Sequence, residues 1–256
     1  MINAGYEHYS GSIDVSDHSR RRAPEAALKA TQFVLEMANK YKRRAHILHL
    51  GTAEEVEFLS SNPSPYITTE VCIQNLVYTA PEIYNLLGTF AQMNPPIREK
   101  HHQIALWNGI KSGLISQIVT DHAPHLPEEK ALPFGQSPCG LPGVETVVPL
   151  TLNAVNQGHL TLEHAVRLLS TNAARNFRIQ NKGSILTGYD ADLILVDMKG
   201  RKTLKNKDQF TKCAWTPYDG WDIQGVPVMT FVNGQRVYCE GDITIHEPVG
   251  KEAIIL

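Results

Sequence analysis

The sequence "AHILHLGTAEEVEFLSS", residues 45–61, decides the fold class because it joins a short apolar strand directly to a helix. "AHILHL", from Ala45 to Leu50, has the length and composition of a buried strand. Thr52 and Glu55 then have the spacing of a capping box, in which the two side chains accept hydrogen bonds from backbone N–H groups at the start of a helix. A strand that runs into a helix is typical of a parallel β/α unit.

The same alternation continues on both sides of this stretch. Pro24 suits the first turn of a helix that extends to about Tyr41, with apolar residues at helical spacing. Further along the chain the pattern predicts strands at 64–71 and 115–120, helices at 103–114, 145–154 and 162–176, and a Pro- and Gly-rich loop at 123–143. Alternating strands and helices predict a parallel sheet whose chemistry lies at the carboxyl ends of its strands.

The sequence changes in character after Lys182. Short apolar runs are separated by turns at Gly188–Asp190 and at Asn233–Gly234, and Asn-Gly between apolar runs is a strong hairpin signal. We therefore expect two domains, residues 1–180 and residues 181–256, of which the second is a small β module.

Composition excludes several classes of function. The net charge of -2 gives no reason to expect nucleic acid or an anionic membrane as a partner. No apolar run approaches the roughly 18 to 20 residues of a membrane helix, and the first 22 residues lack the apolar core of a signal peptide. A cytoplasmic protein is the expectation. Its four cysteines are scattered without a CxxC pair, which favours free thiols.

Two polar residues follow predicted strands and are candidates for chemistry. His49 ends the strand that begins at Ala45, and Asp121 follows the strand in "ISQIVTDHAPH", residues 115–125. Imidazole and carboxylate groups bind zinc, and a carboxylate beside a metal-bound water can move its proton. The alternative is structural, with His49 hydrogen-bonded in the core and Asp121 capping a helix or ordering a loop. His46 faces the other side of its strand and is expected to be structural.

A second group of candidates lies in loops. Asn94 precedes two prolines, where it either forms a turn or presents its amide to a polar ligand. The glycines of "CGLPG", residues 139–143, either let backbone amides approach a ligand or only turn the chain. No GxGxxG, Walker A or GxSxG pattern is present, which disfavours nucleotide binding and serine hydrolysis.

Several of these stretches occur together in one known family. "ILHLGTAEE", "AQMNPPIR", "TDHAPH", "EEKALPFGQSPCGLPGVET" and "KGSILTGYDADLILVD" appear in that order. They resemble the dihydroorotase branch of the amidohydrolase superfamily, over the chain from about Ser16 onward. The resemblance implies a partial (β/α)₈ barrel of the metal-dependent hydrolase type, namely strands six to eight and their helices, followed by part of a small β-sandwich. The family reaction is the reversible hydrolysis of dihydroorotate to N-carbamoyl-aspartate in pyrimidine synthesis.

The resemblance also implies roles for particular residues. His49 matches a metal-binding histidine at strand six. Asp121 matches the strand-eight aspartate, which is both a metal ligand and the catalytic base and acid, and His122 would support it without binding metal. The positions that meet the substrate are Asn94, His125, and the backbone of Cys139 and Gly140. The family centre holds two zinc ions bridged by hydroxide.

The family pattern is incomplete in this sequence. None of the eleven histidines forms the family's strand-one His-x-His pair, and the mid-barrel lysine or aspartate, the strand-five histidine and the strand-one arginine are also unmatched. We therefore expect the chain alone to be inactive. It is a fragment of a dihydroorotase, one half of a split enzyme with a complementary amino-terminal chain, or a non-catalytic scaffold that binds a partner such as aspartate transcarbamoylase. A hydantoinase- or allantoinase-like fragment and a homo-oligomer also stay open.

Overall fold

The computed structural model describes Gly5, Glu7, residues 11–12, 14–245 and 247–255. The chain forms two compact units. One contains the described residues up to Glu145 together with Lys205–Asp219, and the other contains Thr146–Leu204 and the described residues from Gly220 onward. The predicted domains 1–180 and 181–256 remain predictions.

The first unit contains a parallel three-stranded sheet. Its strands are β1 (Ala45–Ile47), β2 (Ile67–Cys72) and β3 (Gln117–Val119), and β2 lies in the middle. Seven α-helices flank them in the described part of this unit: α1 (His18–Arg21), α2 (Pro24–Tyr41), α3 (Ala53–Ser61), α4 (Ile73–Val77), α5 (Glu82–Leu87), α6 (Lys100–Ser112) and α7 (Pro127–Lys130). Short 3₁₀ turns lie at Val15–Asp17, Gly88–Ala91 and Asn206–Asp208.

The predicted cap of α3 is confirmed. The Thr52 side chain accepts a hydrogen bond from the Glu55 N–H at 3.1 Å. In return the buried Glu55 carboxylate accepts the Gly51 N–H at 3.2 Å and the Thr52 hydroxyl at 2.9 Å. The same carboxylate accepts the Thr31 hydroxyl of α2 at 2.8 Å, so the cap also ties two neighbouring helices together.

Strand β1 is shorter than the sequence predicts. It ends at Ile47, whereas the apolar run predicted a strand to Leu50. The difference has a local cause, because His49 has φ 38° and a left-handed residue cannot continue a strand. Leu50 is nevertheless fully buried, as the apolar pattern required.

The second unit contains a four-stranded antiparallel sheet, with β4 (Leu193–Thr203), β5 (Asp222–Val232), β6 (Gln235–Cys239) and β7 (Asp242–Ile243) in that order. The predicted hairpin at Asn233–Gly234 is confirmed, and both residues have positive φ, as the tight turn requires. The helices of this unit are α8 (Val147–Asn156), α9 (Leu162–Val166) and α10 (Asn172–Asn176), the last two joined by a π-helical turn.

Helix α8 is bound to this sheet by the side-chain amides of Asn153 and Asn156. The Asn153 Oδ1 accepts the Gln224 N–H at 3.0 Å. The Asn156 side chain donates to the carbonyls of Met198 in β4 and Gln224 in β5, at 3.0 and 2.9 Å.

Taken together, the helices and the two sheets give the chain α/β content with a separate antiparallel sheet. Within the described ranges, no helix combines the length and apolar character needed to cross a membrane.

Candidate active site

The candidate site lies at the carboxyl ends of the three parallel strands. His49 follows β1 by two residues, Cys72 ends β2, and Asp121 follows β3 by two residues. His49 and Asp121 both have left-handed backbones, with φ 38° and 45°. Such conformations cost about 1 to 3 kcal/mol in residues other than glycine and cluster at functional sites.

The pKa of the Cys72 thiol reflects the negative charge at this edge of the sheet. Burial raises the pKa of its thiol well above the ordinary value, and the carboxylates of Asp121 and Glu70 raise it further. Glu70 is itself bound by His46, whose Nε2 lies 2.9 Å from the carboxylate and whose Nδ1 lies 2.6 Å from the Thr68 hydroxyl. His46 therefore joins β1 to β2, which fits the structural role expected for it.

His49 and Asn94 line one cavity of about 390 Å³. The Asn94 Oδ1 atom is buried, and the Asn94 side chain lies within hydrogen-bonding reach of the His18 ring. A side-chain amide has an acceptor oxygen and two N–H donors, so Asn94 is suited to bind a polar ligand in this cavity. Arg98 lines the same cavity, and its guanidinium donates to the carbonyls of Ser19 and Arg22.

His122 holds the end of the long loop against β3. Its Nδ1 accepts hydrogen bonds from the backbone N–H groups of Gly143 and Val144, at 3.1 and 3.3 Å. A backbone bridge pairs His122 with Leu141, and the Ala123 N–H donates to the Leu141 carbonyl. These bonds fix the loop directly after Asp121.

His125 and Gly140 lie side by side. A Cβ atom on Gly140 would lie 2.5 Å from the Ala123 carbonyl oxygen and 3.2 Å from His125 Cδ2, and the φ of 148° disfavours a side chain as well. The His125 carbonyl accepts the indole N–H of Trp215 at 2.8 Å, while its ring is partly exposed. The His125 ring thus lies beside the backbone of Gly140.

Lys130 is a residue that the sequence did not single out. Its side chain is fully buried, and Nζ donates to the carbonyls of Gln92 and Pro138 at 2.9 and 2.8 Å. Gln92 also accepts the Gly140 N–H at 2.9 Å, and its side-chain amide lies 3.0 Å from the Cys139 sulfur. Lys130 therefore ties the segment that carries Asn94 to the loop that carries Cys139 and Gly140. In "PEEK" it looks like one more exposed charge.

The set of candidate metal ligands at this site is incomplete. His49 and Asp121 offer two donor side chains, whereas catalytic zinc typically has three protein ligands and a water. Within the described residues, the group of His, Cys, Asp and Glu side chains close enough to share an ion includes neither of them. This chain's described residues therefore do not fit the family's two-zinc centre by themselves.

These features define a class of protein. The sequence profile of the amidohydrolase family matches residues 16–237, and the chain belongs to that family. Among curated proteins, it is 36% identical over 233 residues to the dihydroorotase of Pyrococcus furiosus and 35% identical over 243 residues to that of Methanosarcina acetivorans. The matched segments cover 91% of this chain in both cases, but only 54% and 52% of those proteins. The chain spans about half the length of these relatives.

Solved structures share the fold. The L-hydantoinase (dihydropyrimidinase) of Arthrobacter aurescens superimposes with a TM-score of 0.91 at 25% identity, covering 98% of this chain and 58% of that one. The dihydropyrimidinase of Brevibacillus agri gives a TM-score of 0.89 at 23% identity, covering 95% of this chain and 55% of that one.

The four cysteines are free, as predicted.

We expect His18 to make the chain less stable in acid. Burial lowers the pKa of His18 to about 4, against 6.5 ordinarily, although its Nε2 lies 2.8 Å from the Met93 carbonyl. The unfolded chain therefore binds a proton between pH 6.5 and about 4 that the folded chain does not, and stability falls over this range. In urea unfolding, the loss between pH 7 and pH 4.5 should be about 2 to 3 kcal/mol smaller in His18→Gln than in the parent. An unchanged pH dependence in His18→Gln, as in the exposed-site control His159→Gln, would contradict this.

Proposed function

We propose that this chain contributes strands six to eight of a (β/α)₈ barrel, together with the loop at residues 123–143 that would contact the substrate, to a dihydroorotase-type active site in the cytoplasm. The reaction would be the reversible hydrolysis of dihydroorotate to N-carbamoyl-aspartate. The observation that carries the proposal is the pair His49 and Asp121, which follow parallel strands β1 and β3 in left-handed conformations. The similarity to dihydroorotases over 91% of the chain supports the choice of reaction.

Each candidate residue has a separate catalytic or binding role in this proposal. Opening a cyclic amide breaks the carbon–nitrogen bond, and the ring nitrogen leaves only if it gains a proton. The Asp121 carboxylate would accept a proton from the attacking water and give it to that nitrogen. Asn94 and His125 would hold the polar groups of the substrate, and the backbone at Cys139 and Gly140 would contact its ring, while His122 would keep the loop in place behind Asp121.

The proposed cofactor is a pair of zinc ions, with His49 and Asp121 as two of the ligands. The remaining ligands would come from residues outside this chain, either a complementary amino-terminal half or a longer form of the same protein. Aspartate transcarbamoylase and a second copy of the chain are further proposed partners.

A chimaera tests this assignment. The part of the Pyrococcus furiosus dihydroorotase that does not match this chain would be fused to it, and folding checked by cooperative thermal unfolding. We expect the folded, zinc-loaded chimaera to hydrolyse dihydroorotate, and Asp121→Asn to lower kcat at least about 100-fold. Preference for hydantoin or allantoin in a substrate panel would overturn the substrate assignment. Full activity in Asp121→Asn would overturn the role of that residue.

A further inference from the structure

Helix α1 contacts the segment that carries Asn94. Its first residue, His18, is almost fully buried, and Nε2 of the His18 ring lies 2.8 Å from the Met93 carbonyl oxygen. Because a carbonyl oxygen can only accept, Nε2 donates this hydrogen bond. The Asn94 side chain lies within hydrogen-bonding reach of the same ring. One buried ring therefore contacts both the backbone just before Asn94 and the Asn94 side chain.

The same helix contacts the loop at residues 123–143 through Phe134. The His18 and Phe134 rings meet edge to face, with their centroids 6.1 Å apart and an interplanar angle of 87°, which is a favourable arrangement of two aromatic rings. The Arg21 guanidinium lies over the Phe134 ring, 4.3 Å from its centroid, within the range of a cation–π interaction. We propose that His18, Arg21 and Phe134 form a clamp that positions this loop and the segment with the candidate amide together for the substrate.

Buried hydrogen bonds hold α1 itself in place. The Arg98 guanidinium donates to the Ser19 carbonyl at 3.2 Å and to the Arg22 carbonyl at 2.6 Å. Arg98 and His18 thus bond in opposite directions between α1 and the segment at 93–98. Side chains whose own positions are fixed by packing and hydrogen bonds can hold a neighbouring group more precisely than exposed side chains can.

A closed turn links Phe134 to the backbone at Cys139. The N–H groups of Gln136 and Ser137 both donate to the Pro133 carbonyl, at 2.9 and 3.0 Å. The turn that contains the Phe134 ring is therefore folded on itself and ends two residues before Cys139. A displacement of the ring should move the Cys139 backbone as well, because no extended segment lies between them.

This role rests on the proposed function, in which Asn94 holds a polar group of the substrate and the Cys139 backbone contacts its ring. The three clamp residues are positioning residues, since they would act on the substrate through Asn94 and the loop. Loss of the clamp should therefore weaken binding of the substrate, which raises KM, while the chemical step and kcat change little.

The active chimaera provides the first test. Phe134→Leu keeps an apolar side chain but removes the ring that His18 and Arg21 contact. We expect it to raise the KM for dihydroorotate at least about fivefold, with kcat within about twofold of the parent. Phe134→Tyr keeps the ring and should have nearly the parental KM. The control Leu132→Ala, at an exposed position of the same loop, should also match the parent.

The isolated chain provides a second test that needs no enzymatic activity. It uses the Cys239→Ser background, which removes the other partly exposed thiol. In that background Phe134→Leu should make Cys139 react at least about threefold faster with a thiol-specific disulfide reagent, because the loop opens more often. Phe134→Tyr and Leu132→Ala should react as the parent does. A cooperative urea transition in each variant checks that it is folded.

The two tests separate the clamp from the proposed function. An inactive parental chimaera would contradict the proposed function, and the reactivity of Cys139 in the isolated chain would then decide whether the clamp holds the loop. Parental Cys139 reactivity in folded Phe134→Leu would overturn the clamp. In an active chimaera, a lower kcat with unchanged KM in Phe134→Leu would overturn its role in substrate binding.

Discussion

Replacing Lys130 with methionine is expected to lower the free energy of unfolding by about 2 to 4 kcal/mol. The substitution removes two hydrogen bonds from a charged donor, each worth about 1.5 to 3 kcal/mol, and leaves the Pro138 carbonyl without this donor. Relief of the buried charge offsets part of the loss. Urea unfolding of the purified chain measures the difference. Lys111→Met, at an exposed position on α6, is the control and should change stability by less than about 0.5 kcal/mol.

A second readout follows the loop itself. Cys139 is half-buried beside Gln92, whose carbonyl Lys130 holds. If Lys130 positions the loop, Lys130→Met should make Cys139 react faster with a thiol-specific disulfide reagent. The comparison is made in a Cys239→Ser background, because Cys239 is also partly exposed while Cys72 and Cys213 are buried. Unchanged stability and unchanged Cys139 reactivity would show that Lys130 does not hold this loop.

Replacing Gly140 with alanine should displace the loop at residues 123–143. The new Cβ atom would lie 2.5 Å from the Ala123 carbonyl oxygen and 2.7 Å from its Cβ, and backbone atoms cannot move aside without shifting the chain. Overpacking of this kind costs about 1 to 3 kcal/mol, in addition to the cost of the backbone conformation. In the active chimaera, we also expect the KM for dihydroorotate to rise, because His125 and the Cys139 backbone border this position.

Gly135 provides a matched control for that experiment. It lies in the same loop and has φ 94°, but a Cβ atom there would meet nothing within 4 Å. Gly135→Ala therefore carries only the cost of a left-handed residue, about 1 to 2 kcal/mol. Equal stability and equal KM in the two alanine variants would show that the close approach of Gly140 to Ala123 and His125 affects neither stability nor substrate binding.

Local signals were sufficient to predict much of the fold. The helix Pro24–Tyr41 has the predicted bounds because a proline begins it and an apolar stripe runs along it. The cap at Thr52 and the hairpin at Asn233–Gly234 were also predicted correctly, because the cap requires a particular side chain and the hairpin requires particular backbone angles. The π-helical turn within Leu162–Asn176 kept the predicted span while changing its internal hydrogen bonding.

Other features depend on packing that a local pattern does not contain. Helix α4 (Ile73–Val77) was not predicted because four of its five residues, two of them polar, are buried, so it shows no amphipathic stripe. The place of His49 and Asp121 after strands makes them candidates from the sequence, but their left-handed backbones could not be read from their residue types. Lys130 looks like an ordinary polar surface residue until the fold brings the Gln92 and Pro138 carbonyls against it.

In the proposed function, this chain holds one part of an active site whose other metal ligands lie elsewhere. The most direct measurement is the turnover of dihydroorotate by the purified 256-residue chain after loading with zinc. We predict no hydrolysis above the uncatalysed rate, because His49 and Asp121 alone do not complete a catalytic zinc site. If the isolated chain hydrolyses dihydroorotate and Asp121→Asn abolishes this turnover, then ligands from outside the chain are not required and the proposed division of the site is wrong.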